Sequence, residues 1–575
     1  MLHILKSLFL LINALILIFP DINAQLIQRS EMVGRPTAKS ATIQMIFYDS
    51  VEMRVQYGTS SGTYTGQTPW QTFADSLPAE IILNALQANT KYYYCVNYRK
   101  PKTANYTARP EYSFQTQRQS GSSFTFTVQA DPHLDSQSDT ALYRLCLRNQ
   151  FEDNPDFMID LGDFLMTDKL RNASKIVPRD TIPYRCNLLR SYYESICHSV
   201  PLFIALGNHE GEAGWNLNGT PNNVAVWGTQ ERQKYFLNPA PDDFYSGDST
   251  NHPYVGLREN YYAWNWGNAL FIVLDPYWYT SPKPDSLNGW RWTLGQTQYN
   301  WLKKTLEQST AAFKFVFSHQ LVGGDPDGRG GIEFASLYEW GGNNLDGTSG
   351  FVTKRPGWYK PIKELFKEHK VNIFFHGHDH LFAKQENECL IYQETPQPSH
   401  PNFSTVNYAP DYGYKNGQIL PQSGHLKITV DATGVKVDYV RAYLPKNETP
   451  MRRNKDVSAT YFIGIKNCYD SLATGTPVLW NSNYADELAY PNPFSNEIKI
   501  EFTLANEEPV HLYILNESGQ PIRNLITGNR VEKGKYQIYW DGKNHAGAQQ
   551  PDGIYYYHLE GEHGNKKTGK IILKK

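Results

Sequence analysis

Between about Gln25 and Arg118, apolar and polar residues alternate with period two, as in Thr42-Ile43-Gln44-Met45-Ile46-Phe47 and Met53-Arg54-Val55-Gln56-Tyr57, and turn residues such as Gly58 close the runs. That period puts one face of a strand inside, so residues 25–118 are expected to form a small β-sandwich. From Phe124 the rhythm changes. Short apolar runs (Phe124 to Ala130, Phe157 to Leu161, Leu202 to Leu206, Ala269 to Leu274, Phe313 to Phe317, Val371 to Phe375) each end in a polar cluster, with helical stretches between them. The alternation predicts an α/β layered domain over 120–445, with chemistry gathered outside the carboxyl ends of its strands. His425 to Val430 and Val435 to Val440 flank Ala432-Thr433-Gly434 as a hairpin would, and are expected to be its last strands. The pattern weakens over 446–485, expected to be a linker. It resumes over 486–575, where Ile498 to Phe502, Val510 to Ile514 and Ile554 to Leu559 predict a final β-rich module.

The first residues stand apart. Met1 to Lys6 carries one positive charge, Leu8 to Phe19 is almost purely apolar, and Asp21-Ile22-Asn23-Ala24 closes on a small residue. The apolar run is shorter than the roughly 20 residues of a spanning helix, so residues 1–24 are expected to be a secretory signal peptide. No later stretch is long and apolar enough to span a bilayer, and the mature protein is expected to be secreted or held at a cell surface. A chain of 575 residues is too long for one core. Its 40% hydrophobic and 19% charged residues exclude collagen-like and wholly disordered classes. Lys+Arg 55 against Asp+Glu 57 leaves a net charge of -2, so no global positive field favours nucleic-acid binding. Among the 6 cysteines, Cys186 and Cys197 bracket one short segment and are the expected pair, with buried free thiols an equally open reading.

Chemistry concentrates at the strand ends: Asp131-Pro132-His133, Gly162-Asp163, Gly207-Asn208-His209-Glu210, Ser318-His319 and Gly377-His378-Asp379-His380. Carboxylate, amide and imidazole groups at one sheet edge suit Mn, Fe or Zn better than the all-oxygen shell of calcium. Their number exceeds what one tetrahedral ion needs and suits a pair of ions sharing a carboxylate bridge.

In order and placement the clusters resemble the DxH, GD, GNH[ED], H and GHxH signature of the calcineurin-like metallophosphoesterases, across roughly Ser123 to Tyr443. Trp292-Thr293-Leu294-Gly295-Gln296 and Gln298-Tyr299-Asn300-Trp301-Leu302 resemble the stretch that opens a helix in those domains. The resemblance implies a β-sandwich flanked by helices. It assigns Asp131, His133 and His380 to one metal and Asn208, His319 and His378 to the other, with Asp163 bridging and a metal-bridging hydroxide as nucleophile. His209 would face the phosphate and protonate the leaving oxygen. Glu210 and Asp379 would orient ligand histidines. Tyr277, Trp278 and Trp290, with Tyr279 and Trp292, would line the substrate cleft or serve as packing. His376 precedes the last cluster at a strand end, and His198, His252, His369 and His400 have no matching context; all five are expected to be structural or solvated.

Two further resemblances frame that domain. Leu86 followed by Asn89-Thr90-Lys91-Tyr92-Tyr93-Tyr94-Cys95-Val96 is similar to the tyrosine-corner segment of fibronectin type III domains. A fibronectin-like domain ahead of a metallophosphoesterase resembles purple acid phosphatases, yet those carry Tyr where this chain has Met166 and lack a histidine at the position of His133, so their metal chemistry is not implied. The tail, from Tyr490-Pro491-Asn492-Pro493-Phe494 through Trp540-Asp541-Gly542-Lys543-Asn544 to Lys570-Ile571-Ile572-Leu573-Lys574-Lys575, resembles the type IX secretion C-terminal sorting domain, an immunoglobulin-like sandwich. That implies the type IX secretion machinery as partner and the exterior of a bacterial outer membrane as destination. Together these resemblances imply a dinuclear phosphoesterase acting on small phosphomonoesters, with phosphodiesters as the alternative substrates.

Overall fold

In the computed structural model, residues 27–75, 77–285, 288–325, 327–450, 452–465, 468–469, 488–504, 507–517, 520–561 and 566–575 are described. The expected signal peptide, residues 1–24, and most of the second half of the expected linker lie outside them. None of the described helices is long and apolar enough to cross a membrane.

The alternating segment forms a sandwich. Ile27–Gly34, Ala41–Phe47 and Pro78–Leu83 make one sheet, and Val51–Gly58 and Lys91–Arg99 anchor the second. Val51, Met53 and Val55 are buried while Glu52 and Arg54 between them are only partly buried, as the period requires. Tyr92 accepts the Gln87 amide at 3.0 Å through its hydroxyl oxygen, a tie from strand to preceding turn.

The central domain is two face-to-face sheets with helices outside. The first runs Leu202–Ile204, Phe157–Asp160, Phe124–Gln129, Gly424–Val430, Gly434–Arg441, Val457–Gly464. Its first three strands are parallel, and the remaining neighbours pair antiparallel. The second sheet includes Tyr262–Trp266, Ala269–Val273, Phe313–Phe317, Ile373–His376 and Leu390–Glu394, with the last four parallel. Between the sheets, Phe126, Phe157, Trp264, Phe271, Phe315, Phe317 and Phe375 form one aromatic cluster. Edge-to-face pairs such as Phe126 on Phe271, with centroids 5.1 Å apart, add about 0.5–1.5 kcal/mol each beyond area burial. Helix Thr140–Glu152 opens at Asp139, whose carboxylate accepts the amides of Ala141 and Leu142. Helix Thr181–Cys197 buries Ile182, Cys186, Leu189, Tyr193 and Ile196 at helical spacing. Helix Gly295–Gln308 begins inside the stretch singled out from sequence.

Strand Val457–Gly464 lies within the segment expected to be a linker and extends the first sheet. The Cys186 and Cys197 pairing does not occur. Both are free and buried on one helix, about 16 Å apart along its axis at 1.5 Å per residue, beyond disulfide reach. Cys389 and Cys468 are the disulfide-bonded cysteines.

Residues 468–575 form a separate compact unit. Its immunoglobulin-like sandwich sets Leu488–Tyr490, Ile498–Leu504 and Gly534–Trp540 against Pro521–Val531, Glu508–Leu515, Gly553–Gly561 and Lys566–Leu573. Phe494, Phe502, Leu512, Trp540 and Leu559 lie in its core.

Candidate metal centre

Both sheets of the central domain deliver their carboxyl ends to one place. Asp131 and His133 follow Phe124–Gln129, Asp163 follows Phe157–Asp160, and Asn208 and His209 follow Leu202–Ile204. From the second sheet, His319 follows Phe313–Phe317, and His378 and His380 follow Ile373–His376. Asp131, His133 and His380 offer ligand atoms within 4.8 Å of one another, as do Asp163, His319 and His378. Asn208 joins the second group, its Oδ1 lying 3.1 Å from His319 Nε2.

Asp163 touches both groups through one oxygen. Its Oδ2 is 3.2 Å from His319 Nε2 and 3.8 Å from His133 Nε2, while its Oδ1 accepts the His209 amide at 2.8 Å. Asp131 Oδ1 lies 3.6 Å from His133 Nε2, 3.5 Å from His380 Nε2 and 3.8 Å from His319 Nε2. Asp131 Oδ1 and His133 Nε2 are buried and make no hydrogen bond. A buried acceptor without a partner is costly unless something else fills its lone pair.

The imidazoles are set as ligands. His319 Nδ1 donates to the Leu161 carbonyl at 2.8 Å, which leaves the Nε2 lone pair inward. His378 Nε2 donates to the Asp327 carbonyl at 3.1 Å, which leaves Nδ1 inward, 3.2 Å from His319 Nε2. His133 turns Nδ1 toward Asp135 at 3.5 Å and Nε2 inward. Outer partners that fix the tautomer in this way are the usual support of metal-bound histidine. Inward lone pairs, two anionic carboxylates and unpartnered buried atoms together fit a pair of divalent cations.

Charge points the same way. Burial pushes Asp131 up, but the facing charges of His319 and His380 outweigh it and hold its carboxyl well below the usual range. Asp163 is likewise pushed up by burial and pulled well below its usual value by His319 and His209. Burial opposes charging His319, yet Asp163 and Asp131 push it up to about 9. Burial, helped by the Arg329 guanidinium, keeps His378 neutral. An ion entering therefore displaces protons, and its affinity rises with pH.

The backbone is strained where the ligands sit. Asp131, His133, Asp163, His378 and His380 have φ of 57°, 47°, 57°, 79° and 58°, in the left-handed region that non-glycine residues avoid. The surroundings must hold them there. Glu210, fully buried, accepts the amides of Phe164 at 2.9 Å, Leu165 at 3.0 Å and Asp163 at 3.0 Å, and that of Gly207 as well. It braces the Asp163 loop and does not orient a histidine ring. Asp379 accepts from Arg329 Nη1, the Gly330 amide and the Tyr414 hydroxyl, so it too bonds no ligand ring.

His209 stands beside the ligands. Its Nδ1 donates to Asp168 Oδ1 at 2.8 Å, and its Nε2 lies 3.9 Å from Asp163 Oδ2. Burial opposes its protonation, but the charge of Asp163 and the hydrogen bond and charge of Asp168 raise it above its ordinary value. Asp168, five residues past Asp163, was visible in the sequence; the carbonyls of Leu161 and Asp327 were not.

The aromatic candidates divide. Tyr277 packs at the centre, its ring centroid 6.3 Å from that of His319 and its hydroxyl donating to Gln320 Oε1. Trp278 is buried under Arg258 with its indole nitrogen on His252 Nδ1, and Trp290 is buried against Tyr338 and donates to Asn344. Both pack in cores. Of the histidines expected to be structural, His376 is buried 2.6 Å from Glu394, and His252 donates to Asp248.

Residues 124–382 match the family model of the calcineurin-like phosphoesterases, and residues 494–565 match that of the FlgD Ig-like domain. The central domain is thus a metallophosphoesterase, a hydrolase of phosphoric esters. The chain is similar to the solved structure of PhoD at 15% identity and TM-score 0.56, over 78% of this chain and 92% of that one. It is also similar to the purple acid phosphatase PPD1 from yellow lupin (Lupinus luteus) seeds at 16% identity and TM-score 0.52, over 76% and 75%. At those identities the likeness is one of fold. No curated protein matches the chain.

Proposed function

We propose that this chain is a secreted phosphomonoesterase that works with two divalent or mixed-valence cations. The observation that carries the reading is the sharing of Asp163 Oδ2 between the group of Asp131, His133 and His380 and the group of His319, His378 and Asn208. Cations bound there supply an activated water and a positive clamp for phosphoryl oxygens. Asp163 and Asp131 hold them, with Mn, Fe or Zn suited to the mixed oxygen and nitrogen donors. His209, with Nδ1 fixed by Asp168, presents Nε2–H toward the leaving oxygen and donates its proton as the ester bond breaks. Met166 occupies the place of the purple-site tyrosine, so a tyrosinate-coloured iron centre is not part of this reading.

The flanking modules suit export. The N-terminal sandwich, with its Tyr92 tie to the preceding turn, is a fibronectin type III-like spacer. The final sandwich is a sorting domain addressed to the type IX secretion machinery, which places the enzyme outside a bacterial outer membrane after signal-peptide cleavage. The closing stretch Lys570-Ile571-Ile572-Leu573-Lys574-Lys575, which overlaps the last strand Lys566–Leu573, is among the sequence features behind that assignment.

The test is a pair of initial rates on p-nitrophenyl phosphate and bis-p-nitrophenyl phosphate after chelation and refilling with Mn, Zn or Fe. A monoester preference supports the proposal. A diester preference replaces it with phosphodiesterase activity, and no metal-restored rate on either ester overturns it. Asp163→Asn should abolish turnover in a chain that still folds; unchanged turnover would refute the shared carboxylate.

A further inference from the structure

Arg185 lies on helix Thr181–Cys197, outside every metal-ligand motif, yet its guanidinium reaches both loops that carry the first ligands. Its Nε donates to the Leu165 carbonyl at 2.8 Å, Nη1 to Leu134 at 3.2 Å, and Nη2 to His133 at 2.6 Å and Phe164 at 3.2 Å. The side chain is nearly buried, and no carboxylate among the described residues forms an ion pair with it. A charge placed in the interior without a counter-ion is expensive, so four carbonyl dipoles are its compensation.

Those carbonyls are not arbitrary ones. His133 and Leu134 have φ of 47° and 53°, and Asp163, which starts the other loop, has 57°. Left-handed residues turn their peptide groups out of the sheet ladder, and the freed groups need partners. Glu210 collects the N–H groups of residues 163 to 165, and Arg185 collects the carbonyls of 164 and 165 from the other side. The same guanidinium then ties that loop to the loop of Asp131 and His133.

We propose that Arg185 is a positioning residue for the metal centre: by gathering carbonyls of both loops on one planar fork, it sets the separation between His133 and Asp163 at which one aspartate oxygen serves both ions. A lysine cannot replace it, because a single ammonium has no fixed fork to span the two loops. The proposal rests on the two-cation reading.

The same helix supplies the control. Arg190 is fully buried and bonds Ser30, Gln44 and the Tyr235 carbonyl, with no metal-ligand loop among its partners. Arg185→Lys, Arg185→Gln and Arg190→Lys are made in the full chain, and each is titrated with Mn²⁺ by calorimetry alongside thermal unfolding. Both Arg185 variants should bind Mn²⁺ about tenfold or more weakly, the usual scale for losing an outer partner of a metal ligand, whereas Arg190→Lys should lose stability but keep wild-type affinity. Wild-type Mn²⁺ affinity in a folded Arg185 variant overturns the proposal and leaves the two-cation reading standing. An equal loss of affinity in Arg190→Lys shows that general destabilisation is the cause and also overturns it. Failure of the wild-type chain to bind any of Mn²⁺, Zn²⁺ or Fe²⁺ overturns the reading beneath it.

Discussion

Glu210→Gln keeps the shape of the side chain and removes its charge, so it isolates what the carboxylate does for the loop behind Asp163. One oxygen of Glu210 accepts Phe164 and Leu165, and the other accepts Asp163 and Gly207. In glutamine one of those oxygens becomes an NH₂ group, which leaves two buried N–H donors facing a donor. At about 1–3 kcal/mol for each buried donor left unpaired, the gross cost is roughly 2–6 kcal/mol. Burial beside Asp163 pushes the Glu210 carboxyl up to about 7, so its charge is costly there and its removal returns part of the loss. A net loss of about 3 kcal/mol follows, worth roughly 5–10 °C in the unfolding midpoint of a domain this size. The assay is differential scanning calorimetry of the full chain with and without Mn²⁺, with metal content measured in parallel. Because Asp163 sits on the disturbed loop, Mn²⁺ should protect the variant less than wild type. A midpoint within about 1 °C of wild type, with equal protection by metal, would refute the brace.

Other expectations follow from the same contacts. His209→Ala should slow esters with poor leaving groups by about 10²–10⁴ and good ones much less, and equal losses on both would argue against a general acid. Asp168→Asn removes one of the charges that hold His209 up, so the alkaline limb of the pH-rate profile, where a protonated acid is lost, should move to lower pH; an unmoved limb would separate Asp168 from the acid. His198, stacked on Tyr112, is held down to about 4 by burial and the Arg109 charge. The folded state therefore binds that proton later than the unfolded chain, and stability drains as pH falls from about 6.5 to about 4, by up to about 3 kcal/mol. His198→Gln should flatten urea-unfolding stability against pH over that window, and a curve parallel to wild type would remove His198 as the cause.

The ligand set was legible because each ligand is a short polar cluster closing an apolar run, and both halves of that pattern are local. Chain order then brought Asp131, Asp163, Asn208, His319, His378 and His380 to one sheet edge. What supports them was hidden for the opposite reason. Arg185 acts on carbonyls 20 to 52 residues away, and His319 and His378 are oriented by the carbonyls of Leu161 and Asp327, so no side-chain pattern announces them. Glu210 was visible as a residue but not in its role, since an amide-collecting carboxylate and a ring-orienting one look alike in sequence. The aromatic run after Asp275 was ambiguous because tryptophan serves cores and clefts equally; Trp278 and Trp290 went to cores. Cysteine spacing misled because it carries no information on whether a helix lies between the thiols.

Strand Val457–Gly464 also sets a limit on where the chain can be shortened. It pairs with Gly434–Arg441 from Gly434 opposite Gly464 to Val440 opposite Val457, and so finishes the sheet that carries Asp131 and Asp163. A protease that trimmed the tail ahead of Val457 would bare that row of amides and carbonyls, an open edge on which strands of other chains can assemble. Any recombinant boundary drawn at the end of the hairpin would therefore move the edge of the sheet from Val457–Gly464 inward to the largely buried strand Gly434–Arg441, and would trade a tidy catalytic fragment for an adhesive one.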